Sequence, residues 1–264
     1  MRTSPSTAAA DSMDALNGEL HHAIANLLFR LADDELILGY ASAAWTSSVP
    51  ISEERLPFAA MAKEEVGHAL SYYELLHELG HDSPQTLIHA RGPRRFRCAS
   101  LVSRPQESRW APCLMRQFLY DAAEVVRSAA LRACEVTPLA ELAAPIHGDE
   151  QGHLVHGRKW VIRVALANEG AHEELQAALQ EVYPHALGLF EPTEADETLA
   201  QGGICPREEE LQQQWESAVA PVLAQAGLAV PVTARPVYGG RVGRHPDGFA
   251  DQLSRIQQAY EGTP

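Results

Sequence analysis

One pentapeptide pattern occurs twice in the chain. Glu64-Glu65-Val66-Gly67-His68 and Asp149-Glu150-Gln151-Gly152-His153 both read acid, Glu, any residue, Gly, His, and they lie 85 residues apart. On a helix, Glu65 and His68 are three residues apart, so both side chains leave one face about a turn from each other. The same holds for Glu150 and His153. Two helices that each turn a Glu-x-x-His inward supply half of a carboxylate-bridged two-metal site. The other half is one carboxylate from each of two further helices in a four-helix bundle.

Those carboxylates are present at matching distances. Glu35 lies 30 residues before Glu65, and Asp121 lies 29 before Glu150. About 30 residues is one helix, a short turn and part of the helix back. Each half therefore reads carboxylate, helical hairpin, Glu-x-x-His. The expected ligands, and the expected catalytic residues, are Glu35, Glu65, His68, Asp121, Glu150 and His153. Glu124, one turn beyond Asp121, gives a spacing of 26 and is the substitute or outer ligand. Asp34, Glu64 and Asp149 adjoin proposed ligands and read as outer groups or surface charges. The glycine before each His suggests either close helix approach or free space beside the metals, because a helix-interior Gly costs roughly 1 kcal/mol relative to Ala. Tyr72 and Tyr120 are near enough in sequence to line the site. The competing reading is two solvated faces with chance spacing, or a bundle that once held metal.

Carboxylates with imidazole suit iron, or manganese, better than zinc with thiolates or calcium with oxygen alone. Two such ions can pass electrons to O₂ together, and apolar helix walls keep water from the reactive species. Other chemistries lack support. Cys98, Cys113, Cys134 and Cys205 are scattered, which argues against a zinc ribbon, a disulfide framework or a thiol nucleophile. A formal net charge of −14 with only two lysines excludes nucleic acid as a partner class. No long uncharged apolar run marks a membrane span, and no apolar leader opens the chain. A cytoplasmic protein is expected.

Residues 1–12 read as a disordered arm, 13–170 as the di-metal four-helix bundle, and 171–264 as a helical extension packed on it. Helices are expected from about Asp14 to Trp45, Ser52 to Leu79, Glu107 to Glu135, and Leu139 to Asn168, with Pro145 kinking the last or beginning it afresh. Residues 81–106 read as a long polar connection. Its arginines, Arg91, Arg94, Arg95 and Arg97, either meet an anion or an acidic partner or sit in a solvated loop. Further helical pattern runs through Glu173 to Leu189 and Glu208 to Ala226, with an extended stretch from Leu228 to Val237 and a last short helix through Phe249 and Tyr260.

Two stretches carry a resemblance. Leu31-Ala32-Asp33-Asp34-Glu35-Leu36-Ile37-Leu38-Gly39, and the closing Gly240-Arg241-Val242-Gly243-Arg244-His245 before a Gln-containing helix, resemble the ring-oxygenating phenylacetyl-CoA epoxidase (phenylacetate-CoA oxygenase) subunits. The resemblance runs from about residue 18 to 260, and both stretches look more like the accessory subunit than the catalytic one. It implies an all-α, ferritin-like bundle with additional C-terminal short helices. It also implies O₂-dependent epoxidation of the ring of phenylacetyl-CoA or a related aromatic acyl-CoA. Two iron ions would do the chemistry, and a separate reductase would supply electrons from NADPH. Pairing would be as a homodimer, or as a heterodimer with a related ferritin-like subunit. Arg91, Arg94, Arg95, Arg97 and Arg241 are then candidates to meet CoA phosphates. In that family the accessory subunit has typically lost much of the iron site, whereas this chain keeps every carboxylate and His the site needs. Three functions compete: a di-iron oxygenase component, a non-catalytic subunit paired with a catalytic one, and a ferritin-like oxidase or storage protein.

Overall fold

The computed structural model describes residues 18–46, 54–105 and 109–261, so the expected arm at 1–12 lies outside the described residues. The described residues form an all-α, ferritin-like helical bundle. The helices are α1 (Gly18–Trp45), α2 (Arg55–Glu78), α3 (Pro84–His89), α4 (Trp110–Leu131), α5 (Thr137–Ala165), α6 (Glu169–Leu187), α7 (Asp196–Gln201), α8 (Glu208–Gln225) and α9 (Phe249–Glu261). Among the described residues, no helix is long and apolar enough to cross a membrane.

Two hairpins, α1–α2 and α4–α5, make the bundle. α1 is enclosed on all sides through its middle: every residue from Arg30 to Gly39 is buried. Successive side chains on a helix point about 100° apart, so a helix buried all round must satisfy acids in several directions. Asp33, Asp34 and Glu35 do this by facing three different surroundings. Close packing of the first hairpin depends on Gly39, where a Cβ would come within 2.8 Å of Val66 Cγ2 and 3.0 Å of Glu65 Cβ. In the second hairpin Pro145 is accommodated inside a continuous α5 rather than restarting it.

The chain beyond residue 170 shares the bundle's core. α6 and α8 pack on α4. Trp215, fully buried on α8, stacks between Tyr183 and Phe190 and donates its indole N–H to the Leu119 carbonyl at 2.9 Å. Asn168 caps α6 by accepting from the Ala171 N–H.

The connection after α2 differs from its expected polar loop. It contains α3, capped by Ser83, and then a strap whose Phe96, Cys98, Ala99, Leu101 and Val102 are buried. The strap crosses α1 and is held there by its acids: Asp33 Oδ2 accepts from the Arg97 N–H and Asp34 Oδ1 from the Ala99 N–H, both at 2.7 Å. The closing turn at Gly239–Gly243 then lies backbone-on-backbone over the strap. A Cβ at Gly240 would overlap the Cys98 carbonyl, and Gly243 has a left-handed φ of +75°.

Candidate metal centre

The six expected residues converge from four helices. Glu35 comes from α1, Glu65 and His68 from α2, Asp121 from α4, and Glu150 and His153 from α5. They form two groups of four, Glu35–Glu65–His68–Glu150 and Glu65–Asp121–Glu150–His153. Within each group one potential ligand atom per residue lies within 4.8 Å of the others. Glu65 and Glu150 belong to both. All six side chains are buried. Glu124 is buried too but belongs to neither group; its carboxylate approaches the Arg127 guanidinium at 3.8 Å.

Both imidazoles point the same way. His68 Nδ1 lies 3.3 Å from Glu150 and 3.7 Å from Glu35, and His153 Nδ1 lies 3.5 Å from Glu65 and from Glu150. Their outer nitrogens are bound crosswise. His68 Nε2 pairs with Asp149 at 3.2 Å, and His153 Nε2 pairs with Glu64 at 2.8 Å. The acid that opens each pentapeptide thus holds the His that closes the other. An Nε2–H donated to a carboxylate leaves the Nδ1 lone pair directed at the cluster, the arrangement that orients a metal-binding imidazole.

Gln117 completes the frame. Its amide donates to Glu65 Oε1 at 3.1 Å and Asp121 Oδ1 at 2.7 Å, while its oxygen accepts from Ser42 Oγ at 3.1 Å. It was not among the expected residues, although its position four residues before Asp121 places it on the same face.

The electrostatics are those of a concentrated negative charge. Among the described residues no arginine or lysine bonds Glu35, Glu65, Asp121 or Glu150. Burial, then the adjacent Glu65 charge, pushes the Glu35 carboxyl well above its ordinary range. Burial does the same to Asp121; His153 opposes it, and Glu150 and Glu65 add to it. Burial would lower His153, but the Glu150 and Glu65 carboxylates beside its ring outweigh it and hold the imidazole up. Many donor atoms have no hydrogen bond: both oxygens of Glu35 and Glu150, Glu65 Oε2, Asp121 Oδ2, and Nδ1 of both histidines. Orphaned buried polar atoms of this kind cost several kcal/mol together unless something satisfies them. Four carboxylates would balance two divalent cations, so the residues present fit such a pair.

Tyr72 and Tyr120 are buried beside the cluster with unbonded hydroxyls. Burial and the nearby Glu124 and Glu35 charges raise both phenols well above their ordinary value. Gly67 and Gly152 are not close-approach positions, because a Cβ at either would meet nothing within 4 Å. That role falls to Gly39 and to Gly157, whose Cβ would lie 3.5 Å from Asp121 Oδ2. Open space at Gly67 belongs to a cleft of about 320 Å³ between α2 and α5, lined by Glu64, His68, Pro145, Ile146 and Asp149.

Two of the arginines expected to meet phosphates are internal. Arg91 is buried in a two-bonded pair with Asp33 and also bonds the Tyr73 hydroxyl. Arg241 is buried against Asp34 at 2.6 Å. Arg97, half-buried, donates to the Arg241 carbonyl. A guanidinium already committed to a buried carboxylate is not available to an external anion. The two stretches that carried the resemblance therefore meet: Asp34 from the first bonds Arg241 from the second, 207 residues away.

The model of a family described as phenylacetic acid catabolic protein matches residues 6–264. The chain belongs to that family. A relative from Escherichia coli (strain K12), named as one of the subunits of 1,2-phenylacetyl-CoA epoxidase, is 27% identical over 236 residues, covering 89% of this chain and 95% of the relative. Membership of the phenylacetic acid catabolic family agrees with the all-α helical fold.

Proposed function

We propose that this protein is a di-iron oxygenase component of phenylacetate catabolism, taking part in O₂-dependent epoxidation of the ring of phenylacetyl-CoA or a related aromatic acyl-CoA. The observation that carries the proposal is the pair of four-donor groups sharing Glu65 and Glu150, with their buried donor atoms otherwise unsatisfied. Glu35 and His68 would hold one ion, Asp121 and His153 the other, and Glu65 and Glu150 both. Bound there, a ferrous pair would supply the electrons for O₂ chemistry, and a separate NADPH-dependent reductase would replenish them. The chain's own contribution is to position and to protect. Glu64 and Asp149 hold the imidazole rings, Gln117 fixes one oxygen each of Glu65 and Asp121, and the enclosing helices exclude water. Manganese meets the same donor chemistry.

A second reading is that the chain is a partner of a separate catalytic subunit, as the E. coli relative's place in a multi-subunit epoxidase favours. Pairing with a related ferritin-like subunit, or with a second copy, belongs to either reading. Elemental analysis separates them. The oxygenase reading expects near two irons per chain after anaerobic reconstitution, lost in the His68→Ala/His153→Ala variant. O₂ uptake with an aromatic CoA thioester and a reductase should follow. A chain that takes up no metal leaves the partner-subunit reading in place.

A further inference from the structure

A second cleft, of about 930 Å³, lies between the strap and the closing turn. Arg94 and Arg95 line one wall and Arg244 another; all three are exposed. No acidic side chain among the described residues bonds any of them. Asp247 is the one acid in the lining, so the cleft presents three cations against one anion. In a chain of net charge −14, an uncompensated cluster of guanidinium groups is a local reversal of the field.

The walls are rigid. Gly243 packs so closely on the Arg94 carbonyl that a Cβ would overlap it. His245 donates its Nε2–H to the Phe96 carbonyl at 3.0 Å and stacks on Phe249 at 4.1 Å between ring centroids. Burial lowers the His245 pKa and the Phe96 hydrogen bond opposes this, so the ring adds no cation. The guanidinium groups are therefore carried on a fixed frame, which reduces the entropic cost of gathering them around a ligand.

We propose that this cleft binds a small ligand through a diphosphate group. Guanidinium forks match phosphate oxygens two at a time, and three of them suit two linked phosphates better than a single carboxylate. The volume is that of a small-molecule site, within the range of roughly 300–1,000 Å³. A folded acidic protein would instead need a broad face of about 800 Å². The cleft is separate from the carboxylate–histidine cluster. The strap meets α1 at Asp33 and Asp34, about 200° and 100° around the helix from Glu35, and none of the six cluster residues lines the cleft. The inference therefore stands whether or not the cluster holds iron. A coenzyme A thioester and a free nucleoside diphosphate carry the same group, and affinity distinguishes them.

The test is calorimetric titration of the full chain with inorganic pyrophosphate, ADP and coenzyme A, in wild type and in the Arg94→Gln/Arg95→Gln/Arg244→Gln variant. All three side chains are exposed and unbonded, so the variant should keep its melting temperature and its iron content. The expected result is saturable binding of all three probes, at least about tenfold weaker in the variant and weaker again at high salt. Coenzyme A binding more tightly than ADP would support the site and identify the thioester as its source. Equal affinities would support a diphosphate site without that selectivity. No saturable binding of any probe, or affinity unchanged in the variant, overturns the proposal. Binding of polyglutamate but of no phosphate overturns it in favour of an acidic protein partner.

Discussion

Two buried charged regions grow from one tripeptide, Asp33-Asp34-Glu35, and they are built on opposite terms. On the outer side of α1, each acid has a counter-ion and a backbone donor. Asp33 takes Arg91 and the Arg97 N–H, and Asp34 takes Arg241 and the Ala99 N–H. On the inner side, Glu35 faces Glu65, Glu150 and His68, and neither of its oxygens is hydrogen-bonded. Burial alone does not separate a structural acid from a functional one. What separates them is whether the chain supplies the compensating charge. The outer region is complete within the polypeptide, whereas the inner one is left without compensating cations from the chain itself.

The largest effect should come from breaking the complete region. Arg241→Ala leaves Asp34 buried without its counter-ion and should cost about 3–5 kcal/mol in urea unfolding. A loss below about 1 kcal/mol would mean that the strap and closing turn are held by backbone packing instead.

The next tests address the incomplete region. Glu64→Gln with Asp149→Asn removes the carboxylates that orient both imidazoles, and should weaken metal binding by about 10–100-fold with little change in metal-free stability. Equal metal affinity in this variant would show that the crosswise pairs are incidental.

A change of sign sharpens the contrast further. In metal-free protein Glu35→Gln relieves like-charge crowding and should stabilise by about 1 kcal/mol; in iron-loaded protein it should destabilise. pH gives the same contrast. The folded pKa of Glu35 is raised, so its contribution is fully present below the unfolded value and is lost as pH rises through the folded one. For Glu208, burial raises the pKa but Arg127 and Arg30 overcome it and lower it. Its contribution is therefore present above the unfolded value and is lost as pH falls through the folded one. Metal-free protein should lose stability as pH rises from about 4.5, and iron should flatten that slope. Unfolding midpoints across pH, with and without iron, decide this.

A further pair of variants distinguishes the glycines. Gly67→Ala fills open space on a helix and should stabilise by about 0.5–1 kcal/mol. Gly39→Ala, facing Val66 and Glu65, should destabilise by about 1–3 kcal/mol. Thermal unfolding of the two variants should move in opposite directions.

Helix existence was legible because apolar spacing is a local property, and the main helices fall close to their expected spans. The strap was not. Its arginines made residues 81–106 look solvated, and only the acids of α1, distant in sequence, make Arg91 an internal group. Gln117 was readable in principle from its spacing to Asp121, but an amide carries no charge signal. The expected need for glycine next to each His was half right in kind: there is space at Gly67 and Gly152, while helix contact is made at Gly39 and Gly157.

By itself, the sequence determined the all-α class and the convergence of four acids and two histidines, because 3.6-residue periodicity fixes which side chains share a face and the repeated spacing makes two matching hairpins. The tertiary structure alone decided which acid holds which imidazole, that Asp121 rather than Glu124 joins the cluster, and that Arg241 reaches Asp34. Those outcomes depend on the rotation and register of one helix against another. Packing of whole surfaces sets these, and no local pattern encodes them.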